Sequence, residues 1–395
     1  MKDRAAANRT RPARVMWLRR AWSGVCLLAM LAVVALHFGG GVARADPVFQ
    51  HVWVHYDYMV GPNGESYAPD PAGIQIVVDA FRRHGVILHI DPQHNAIPLH
   101  SVIVFDAPGN PFYSFDPACT GPDAVGFSAL KAQYFHPTSD HPWHYVIFGK
   151  YVQVDNYWNL RNCWANHDFP PFAYQVGNTG YAELPGYDFV VTFGQFYDNA
   201  DITGCFGDFQ TGASLNCWPV PDYEWATMFM HELGHNLGLY HGGYGRPVSN
   251  GGFITDNYKP NYVSVMNFLY SSQSPILTSS TTTASGYWYR VDYSDETLAP
   301  LDERNLDETA GTGPTLHPTD YIAWFVQFTG NAAMALAGGP IDWNNNGTAT
   351  DTDFSEDLNQ DTDLSILRGF NDWAEVHQYL ASEDEHPKHS SLASP

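Results

Sequence analysis

Two histidines, His231 and His235, stand four residues apart and enclose a glutamate, Glu232. Residues at this spacing project from nearly the same face of an α-helix, so both imidazoles can bind one metal ion. Glycine tolerates a positive φ, so Gly238 can reverse the chain and return His241 as a third ligand. Three protein ligands leave one position open, which is typical of a catalytic zinc site rather than a structural one.

Glu232 follows the first histidine directly and therefore lies one step around the helix from the metal-facing side. From there its carboxylate can take a proton from the attacking water and need not bind the metal itself. Zinc acts in such sites as a Lewis acid that also acidifies water. These residues predict a hydrolase with Glu232 as the general base, and with Zn²⁺ bound by His231, His235 and His241.

The eleven residues from His231 to His241 resemble the zinc-binding motif of the metzincin clan of endopeptidases. Members of the clan also have a tight turn that places a methionine beneath the metal, and Met266 fits that role. The resemblance is firm over roughly 221–270, and beyond Tyr270 no match to the clan is claimed. It implies direct hydrolysis of a peptide bond, with the substrate extended along an exposed sheet edge. Residues 188–193 are expected to belong to that sheet.

One position departs from the pattern of the clan. Several metzincin families have a tyrosine two residues after the methionine, where its hydroxyl can bind zinc or steady the transition state. That position holds Phe268 here, which has no hydroxyl group, and Tyr270 lies two residues further on. The sequence leaves open whether Tyr270 assists catalysis.

The elements that must position this motif follow from residue patterns. Residues 49–56 alternate and are rich in aromatic and β-branched types, which predicts a strand. Asp70 and Pro71 form a helix start, and Gly85 ends that helix. Strand, helix and strand in this order indicate an α/β fold; the resemblance implies an α/β (α+β) catalytic domain with a twisted mixed sheet, an active-site helix and a methionine turn. Further strands are predicted at 86–90, 144–152 and 188–193, a long helix at 221–238, and a final helix at 372–380 that packs on the body through Trp373, Val376 and Leu380.

A possible calcium loop follows residue 340, where the composition shifts toward Asp and Asn. Asp342, Asn344 and Asn346 offer oxygen ligands at alternate positions, and Gly347 stands sixth. This matches the first half of an EF-hand-like loop in which Asp353 falls at position twelve. The pattern predicts a structural Ca²⁺, and the alternative is a solvated acidic loop. A second acidic group comprises Asp357, Asn359, Asp361 and Asp363.

The first 45 residues hold eight basic residues and one acidic residue. Within them, a basic stretch is followed by a short apolar run and by a small-residue site that ends at Ala45. This pattern predicts an export signal that is removed after Ala45, although an uncleaved membrane anchor is the alternative. We expect a secreted, extracellular or periplasmic protein. Its catalytic domain is predicted at 46–339, with a core at 46–270, followed by an acidic C-terminal region at 340–395.

Charge limits the partners of the chain. It has 19 basic and 42 acidic residues, a formal net charge of −23, and removal of the basic N-terminus makes the remainder more acidic. Such a surface repels nucleic acid and anionic lipid. We therefore expect a monomer that acts on a protein or peptide, without a nucleic acid partner and without stable membrane association.

Four cysteines follow the predicted signal, and an even number in an exported protein indicates two disulfides. A bond between Cys205 and Cys217 would close a short loop just before the zinc helix and would leave Cys119 to pair with Cys163. The other two connectivities, and free buried thiols, stay open.

Other histidines are predicted to be ordinary surface or core residues, because none has a carboxylate at metal-ligand spacing. They are His51 and His55 on one strand face, and His136, His141 and His144.

Two other functions fit the motif. One is a zinc hydrolase that acts on something other than protein. The other is a secreted binding or adhesion protein that kept the motif and lost activity; the intact Glu232 argues against it, because metal binding does not need the base.

Overall fold

The architecture comes from a computed structural model that describes residues 49–106, 123–153, 179–193, 222–243, 246–247, 253–254, 257–271, 276–279, 288–325 and 332–385. Four α-helices lie in this part of the chain: α1 (Pro71–Arg83), α2 (Phe127–Tyr134), α3 (Asp222–Asn236) and α4 (Asp372–Glu385). The strands of its N-terminal half are β1 (Gln50–Val60), β2 (Val86–Ile90), β3 (Ala96–Pro98), β4 (Val102–Val104), β5 (Ala124–Gly126), β6 (Trp143–Gly149), β7 (Val152–Gln153), β8 (Gly180–Ala182) and β9 (Asp188–Thr192). The later strands are β10 (Arg246–Pro247), β11 (Phe253–Ile254), β12 (Ile276–Thr278), β13 (Trp288–Arg290), β14 (Leu301–Asp302), β15 (Leu306–Asp307), β16 (Tyr321–Phe325), β17 (Ala332–Leu336), β18 (Thr352–Phe354) and β19 (Ile366–Leu367).

A six-stranded mixed sheet is the largest sheet of the described chain. Its strands follow the order β2, β1, β6, β9 and β8, and β3 also pairs with β1. All these pairings are parallel except that of β8, which runs antiparallel to β9 at the edge. The predicted α/β class and the order of strand, helix and strand are confirmed. Residues 188–193, expected in the sheet, lie inside it, and the edge strand is β8.

Helix α1 begins where the sequence predicts. The Oδ1 atom of Asp70 accepts a hydrogen bond from the backbone N–H of Ala72 at 2.8 Å, which satisfies a donor of the first turn. Apolar side chains at helical spacing, among them Val77 and Phe81, are fully buried. The chain leaves the helix through Gly85, whose φ is +75°. This helix packs against α3, which holds two of the three predicted zinc ligands.

The C-terminal helix α4 packs into the main hydrophobic core through Trp373, Val376 and Leu380, as predicted. A second hydrophobic cluster joins residues on both sides of the predicted boundary at 339/340, including Tyr270 and Trp343. The boundary itself stays a prediction. Within the described ranges, no helix is long and apolar enough to cross a membrane.

His55 is a buried core histidine with two carboxylate partners. His55 is fully buried between two buried carboxylates, with Nδ1 3.0 Å from Asp91 and Nε2 3.6 Å from Asp57. Asp91 directly follows β2, the strand that pairs with β1. The contact with His55 therefore depends on strand pairing and cannot be read from residue spacing. Burial alone lowers the pKa of His55, but the hydrogen bonds and charges of the two aspartates together raise it above the usual 6.5. The imidazole links β1 to the segment after β2.

The histidine makes stability depend on pH. Because the pKa of His55 is raised on folding, its contribution is fully present below pH 6.5 and is lost as pH rises through the folded-state pKa. We therefore expect the free energy of unfolding to fall as pH rises above about 6.5. In His55→Gln this slope should be weaker. Denaturant unfolding at several pH values measures both slopes.

The matched control is His141→Gln, because His141 is an exposed histidine near the same sheet. Its slope should equal that of the parent protein. An unchanged slope in His55→Gln would contradict the raised pKa of His55 in the folded protein.

Candidate functional site

The three predicted ligands lie in one cluster. His231 and His235 project from the same side of α3, with ring centroids 4.9 Å apart. After the helix, Gly238 adopts a φ of +90°, and the next N–H, that of Leu239, bonds back to the carbonyl of Gly234. This reversal places Nε2 of His241 3.0 Å from Nε2 of His235. Gly238 therefore stands at the point where the chain reverses, with a φ that favours glycine.

Ligand atoms of the three histidines lie within 4.8 Å of one another, which is close enough to hold one metal ion. Nitrogens bound to one tetrahedral zinc at 2.0–2.1 Å are about 3.4 Å apart, so the spacing suits such an ion. Among the described residues, no other group of three His, Cys, Asp or Glu side chains converges in this way.

Backbone carbonyls orient two of the imidazoles. Nδ1 of His231 lies 2.7 Å from the carbonyl oxygen of Val265, and Nδ1 of His235 lies 2.8 Å from that of Leu239. Each Nδ1 must therefore carry the proton, which leaves the Nε2 lone pair for a metal. Burial lowers the pKa of His231 to about 4 and that of His235 to about 3, so both rings are neutral at pH 7. The donor set fits a divalent transition metal such as zinc.

Glu232 is buried beside the ligands and outside their cluster. Burial raises the pKa of its carboxyl to about 8, a shift that a bound divalent cation would oppose. The edge strand β8 reaches the same carboxylate, because a Cβ added at Gly180 would lie 2.5 Å from Oε1 of Glu232. Only glycine lets the strand come this close to the proposed base.

Met266 packs against α3 at Gly234. Its side chain is fully buried, and a Cβ added at Gly234 would overlap its sulfur. The ring of Tyr293 lies against the same glycine, and its hydroxyl donates a hydrogen bond of 2.6 Å to the carbonyl of Met230 on α3. Gly234 therefore lets the helix sit directly on Met266.

The first residue of α4 is hydrogen-bonded to the segment that precedes Met266. Asp372 is fully buried and accepts hydrogen bonds from the hydroxyls of Ser264 and Tyr262. The Ser264 oxygen in turn accepts from the backbone N–H of Met266 at 3.1 Å. Burial raises the pKa of Asp372 to about 6 against the opposing effect of these donors. The sequence offered no signal for this contact between distant segments.

Tyr270 does not turn its hydroxyl toward the histidines. The residue is 1% exposed, and its hydroxyl donates to the carbonyl of Pro260 and accepts from the N–H of Ala323 at 3.0 Å. Phe268 instead lies against the cluster, with its ring centroid 4.2 Å from that of His241. The position of the clan's tyrosine is thus held by an apolar ring.

The helix end is tied to the sheet by Asn236, which sequence reasoning did not single out. Its Nδ2 atom donates to the carbonyls of Glu183 and Asp188 at 3.0 and 3.1 Å. Its Oδ1 atom lies 3.2 Å from Nδ1 of His144. His144 is a buried core residue, in agreement with its prediction. The one sequence signal for Asn236 is that it directly follows His235.

The predicted calcium loop closes differently from an EF-hand. The N–H groups of Asn346 and Gly347 donate to the carboxylate of Asp342 at 3.0 and 2.7 Å. Nδ2 atoms of Asn344 and Asn346 face the carboxylate of Asp351, whereas Asp353 is exposed in a strand with a φ of +60°. Asp351, at position ten, therefore closes the loop around Asp342, Asn344 and Asn346. A calcium ion there stays a prediction.

Both acidic loops rest on buried glutamates that the sequence analysis missed. Glu308 accepts from the N–H of Asp351 at 2.9 Å, and Glu303 accepts from those of Leu358 and Ser365 at 2.8 and 2.9 Å. Burial raises the pKa of Glu303 to about 7 against these bonds. A signal was present, since Leu-Asp-Glu occurs at 301–303 and again at 306–308.

Several predictions fall outside the described residues. They concern the export signal at 1–45 and all four disulfide candidates, Cys119, Cys163, Cys205 and Cys217.

Comparison with known proteins adds no assignment. No protein-family model matches the sequence, and no curated protein matches it.

Gly234→Ala tests the packing of the zinc helix on Met266. The added methyl must displace the methionine sulfur and the Tyr293 ring, so we expect a loss of about 1–3 kcal/mol in the free energy of unfolding. Zinc affinity should fall with it. Gly339→Ala is the matched control, because a Cβ there meets nothing within 4 Å. Equal stability of the two variants in thermal unfolding would contradict this packing role.

The calcium prediction is tested by thermal unfolding of zinc-loaded protein with and without about 1 mM Ca²⁺. A bound ion stabilises the folded state by about 2.7 kcal/mol at 100 times its Kd, so the midpoint should rise. The rise should be lost in Asp342→Ala and kept in Asp79→Ala, which removes an exposed carboxylate from α1. No effect of Ca²⁺ on the parent protein would refute the site.

Proposed function

We propose that this chain is a secreted zinc-dependent metalloendopeptidase. The observation that supports this most is the arrangement of the histidines and Glu232 on and after α3. Two imidazoles of the helix and His241 turn toward one point, while the buried carboxylate of Glu232 stays beside them and outside the ligand cluster. The motif's resemblance to the metzincin clan adds peptide-bond hydrolysis as the reaction.

His231, His235 and His241 would hold the ion. Bound there, zinc supplies a Lewis acid and acidifies the attacking water. Glu232 accepts the proton of that water and passes it to the amine that leaves the cleaved bond. Its position in an apolar, buried setting keeps the proton transfer away from bulk solvent.

The edge strand β8 supports a peptide substrate. It runs antiparallel to β9 at the margin of the mixed sheet, and its first residue, Gly180, lies against Glu232. An extended peptide that adds to such an edge would have its backbone bonded in register beside the base. This arrangement favours a protein substrate over a small non-peptide one.

The acidic composition and the N-terminal pattern complete the proposal. Export with removal of the first 45 residues would leave an acidic monomer that binds neither nucleic acid nor membrane. Sequencing the N-terminus of the secreted protein tests the cut after Ala45.

Glu232→Gln tests the proposed base. The amide cannot accept the proton, so cleavage of a casein substrate should fall by about 10²–10⁴-fold while one zinc per chain is retained. Glu224→Gln is the matched control, because Glu224 is also a buried glutamate of α3 and lies two turns before the ligands. Its activity and zinc content should equal those of the parent.

Chelation separates the alternatives. The parent protein should lose casein cleavage in a chelator and regain it with added zinc. Zinc binding without cleavage of any protein would favour the binding protein or a non-peptide hydrolase. Parent-level cleavage by Glu232→Gln would remove Glu232 from the mechanism.

A further inference from the structure

Two histidines on neighbouring strands face each other near the β2 edge of the mixed sheet. Nδ1 of His51 on β1 lies 2.9 Å from Nε2 of His89 on β2. The two strands are parallel, with Trp53 paired to His89, and side chains two residues apart on a strand lie on the same face. Strand pairing therefore brings together two imidazoles that are 38 residues apart in the sequence.

A stack of aromatic rings orients one member of the pair. The ring of His89 lies on one face of the Trp53 indole, with centroids 3.8 Å apart and planes inclined by 8°. The ring of His141 covers the other face at 3.6 Å, and the buried Trp143 lies edge-on to the indole at 5.6 Å. His51 is exposed, so solvent reaches the pair. Because His89 is oriented before any ligand arrives, binding costs less conformational entropy.

The spacing of the two nitrogens suits a transition-metal ion. Nitrogens bound at about 2.0 Å in neighbouring positions of a square-planar ion are about 2.8 Å apart, which is close to the observed 2.9 Å. Among the described residues, no third His, Cys, Asp or Glu ligand atom converges on the pair, so water would complete the coordination. Burial and the neighbouring His51 and His141 lower the pKa of His89 below 6.5, which leaves its ring neutral at pH 7 with a lone pair to offer.

Copper(II) is the ion that this ligand set favours. Imidazole binds several divalent transition metals, and the affinity of a given site is highest for Cu²⁺. Two nitrogens with water at the remaining positions match the tetragonal geometry of Cu²⁺, whereas zinc sites in proteins usually have three or four protein ligands. The hard cations Mg²⁺ and Ca²⁺ prefer oxygen ligands. The net charge of −23 raises the concentration of cations near the protein surface.

We propose that His51 and His89 form a second metal site, which binds Cu²⁺ and ties the edge strand β2 to β1. The site is separate from the candidate zinc site. Strand β8, whose Gly180 lies against Glu232, is at the other edge of the sheet order. Three strand spacings, or about 14 Å of sheet, separate β1 from β8. Copper binding therefore does not depend on the proposed protease activity.

Copper titration of zinc-loaded protein tests the site through tryptophan fluorescence. A Cu²⁺ ion on His89 would lie beside the Trp53 indole and quench its emission. The parent protein should show saturable quenching by Cu²⁺ and none by Mg²⁺. In Trp53→Phe, which keeps an aromatic ring in the stack, the quenching at saturation should be weaker, although the other tryptophans of the chain remain.

Two variants each remove one proposed ligand. His51→Gln changes the exposed member of the pair, and His89→Phe removes the other nitrogen while it keeps a ring on Trp53. Each should raise the Kd for copper by about tenfold or more, since even the loss of a residue that only orients a ligand costs 10–100-fold. His141→Gln is the matched control, because His141 stacks on the same indole without contact to the pair. Its Kd should equal that of the parent. Copper should raise the thermal unfolding midpoint of the parent and of His141→Gln, and should leave that of His51→Gln unchanged.

Electron spin-echo modulation counts the imidazoles bound to copper. With one Cu²⁺ per zinc-loaded chain, the parent should show two equatorial imidazoles, and His51→Gln should show one at most. Three imidazoles in both proteins would place copper at the candidate zinc site and overturn the second site. An unchanged Kd in both His51→Gln and His89→Phe, or no quenching of the parent by Cu²⁺, would overturn it as well. None of these results would affect the proposed protease.

Discussion

Three imidazoles, two buried and one half-buried, whose ligand atoms lie within 4.8 Å of one another, are the arrangement on which the rest of the structure depends. Burial keeps His231 and His235 neutral, and two backbone carbonyls fix which nitrogen of each ring carries the proton. The Nε2 lone pairs of these two rings can then bind a cation. The helix, the reversal at Gly238 and the methionine turn each contribute a part of this convergence.

The floor of the site is built from distant parts of the chain. Asp372, at the start of the last helix, bonds to Ser264 of the methionine turn, and Lys259 joins the segment after His241 to residue 368. The C-terminal residues therefore contribute to the geometry of the candidate metal site. A change in the acidic loops that shifted α4 would therefore alter the positions of the candidate ligands through the bond between Asp372 and Ser264.

The sequence predicted that the three histidines converge, because the signal for this is local. The spacing of His231 and His235, with glycine at 238, follows from helix periodicity and from the tolerance of glycine for a positive φ. The edge strand at 180–182 was missed, since three residues carry no period. Position twelve of an EF-hand loop predicts Asp353 as a ligand. The turns of this loop instead place Asp351 against the side-chain amides of Asn344 and Asn346. Contacts between distant segments, such as that of Asp372, leave no mark in a single sequence.

X-ray absorption at the zinc edge tests the central claim most directly. Purified, dialysed protein should hold one zinc per chain, with three imidazole nitrogens at about 2.0–2.1 Å and the remaining coordination from oxygen. His241→Ala should lose one nitrogen from that shell. Sulfur in the coordination shell, or an unchanged shell in His241→Ala, would show that the ion is held elsewhere and would contradict the account.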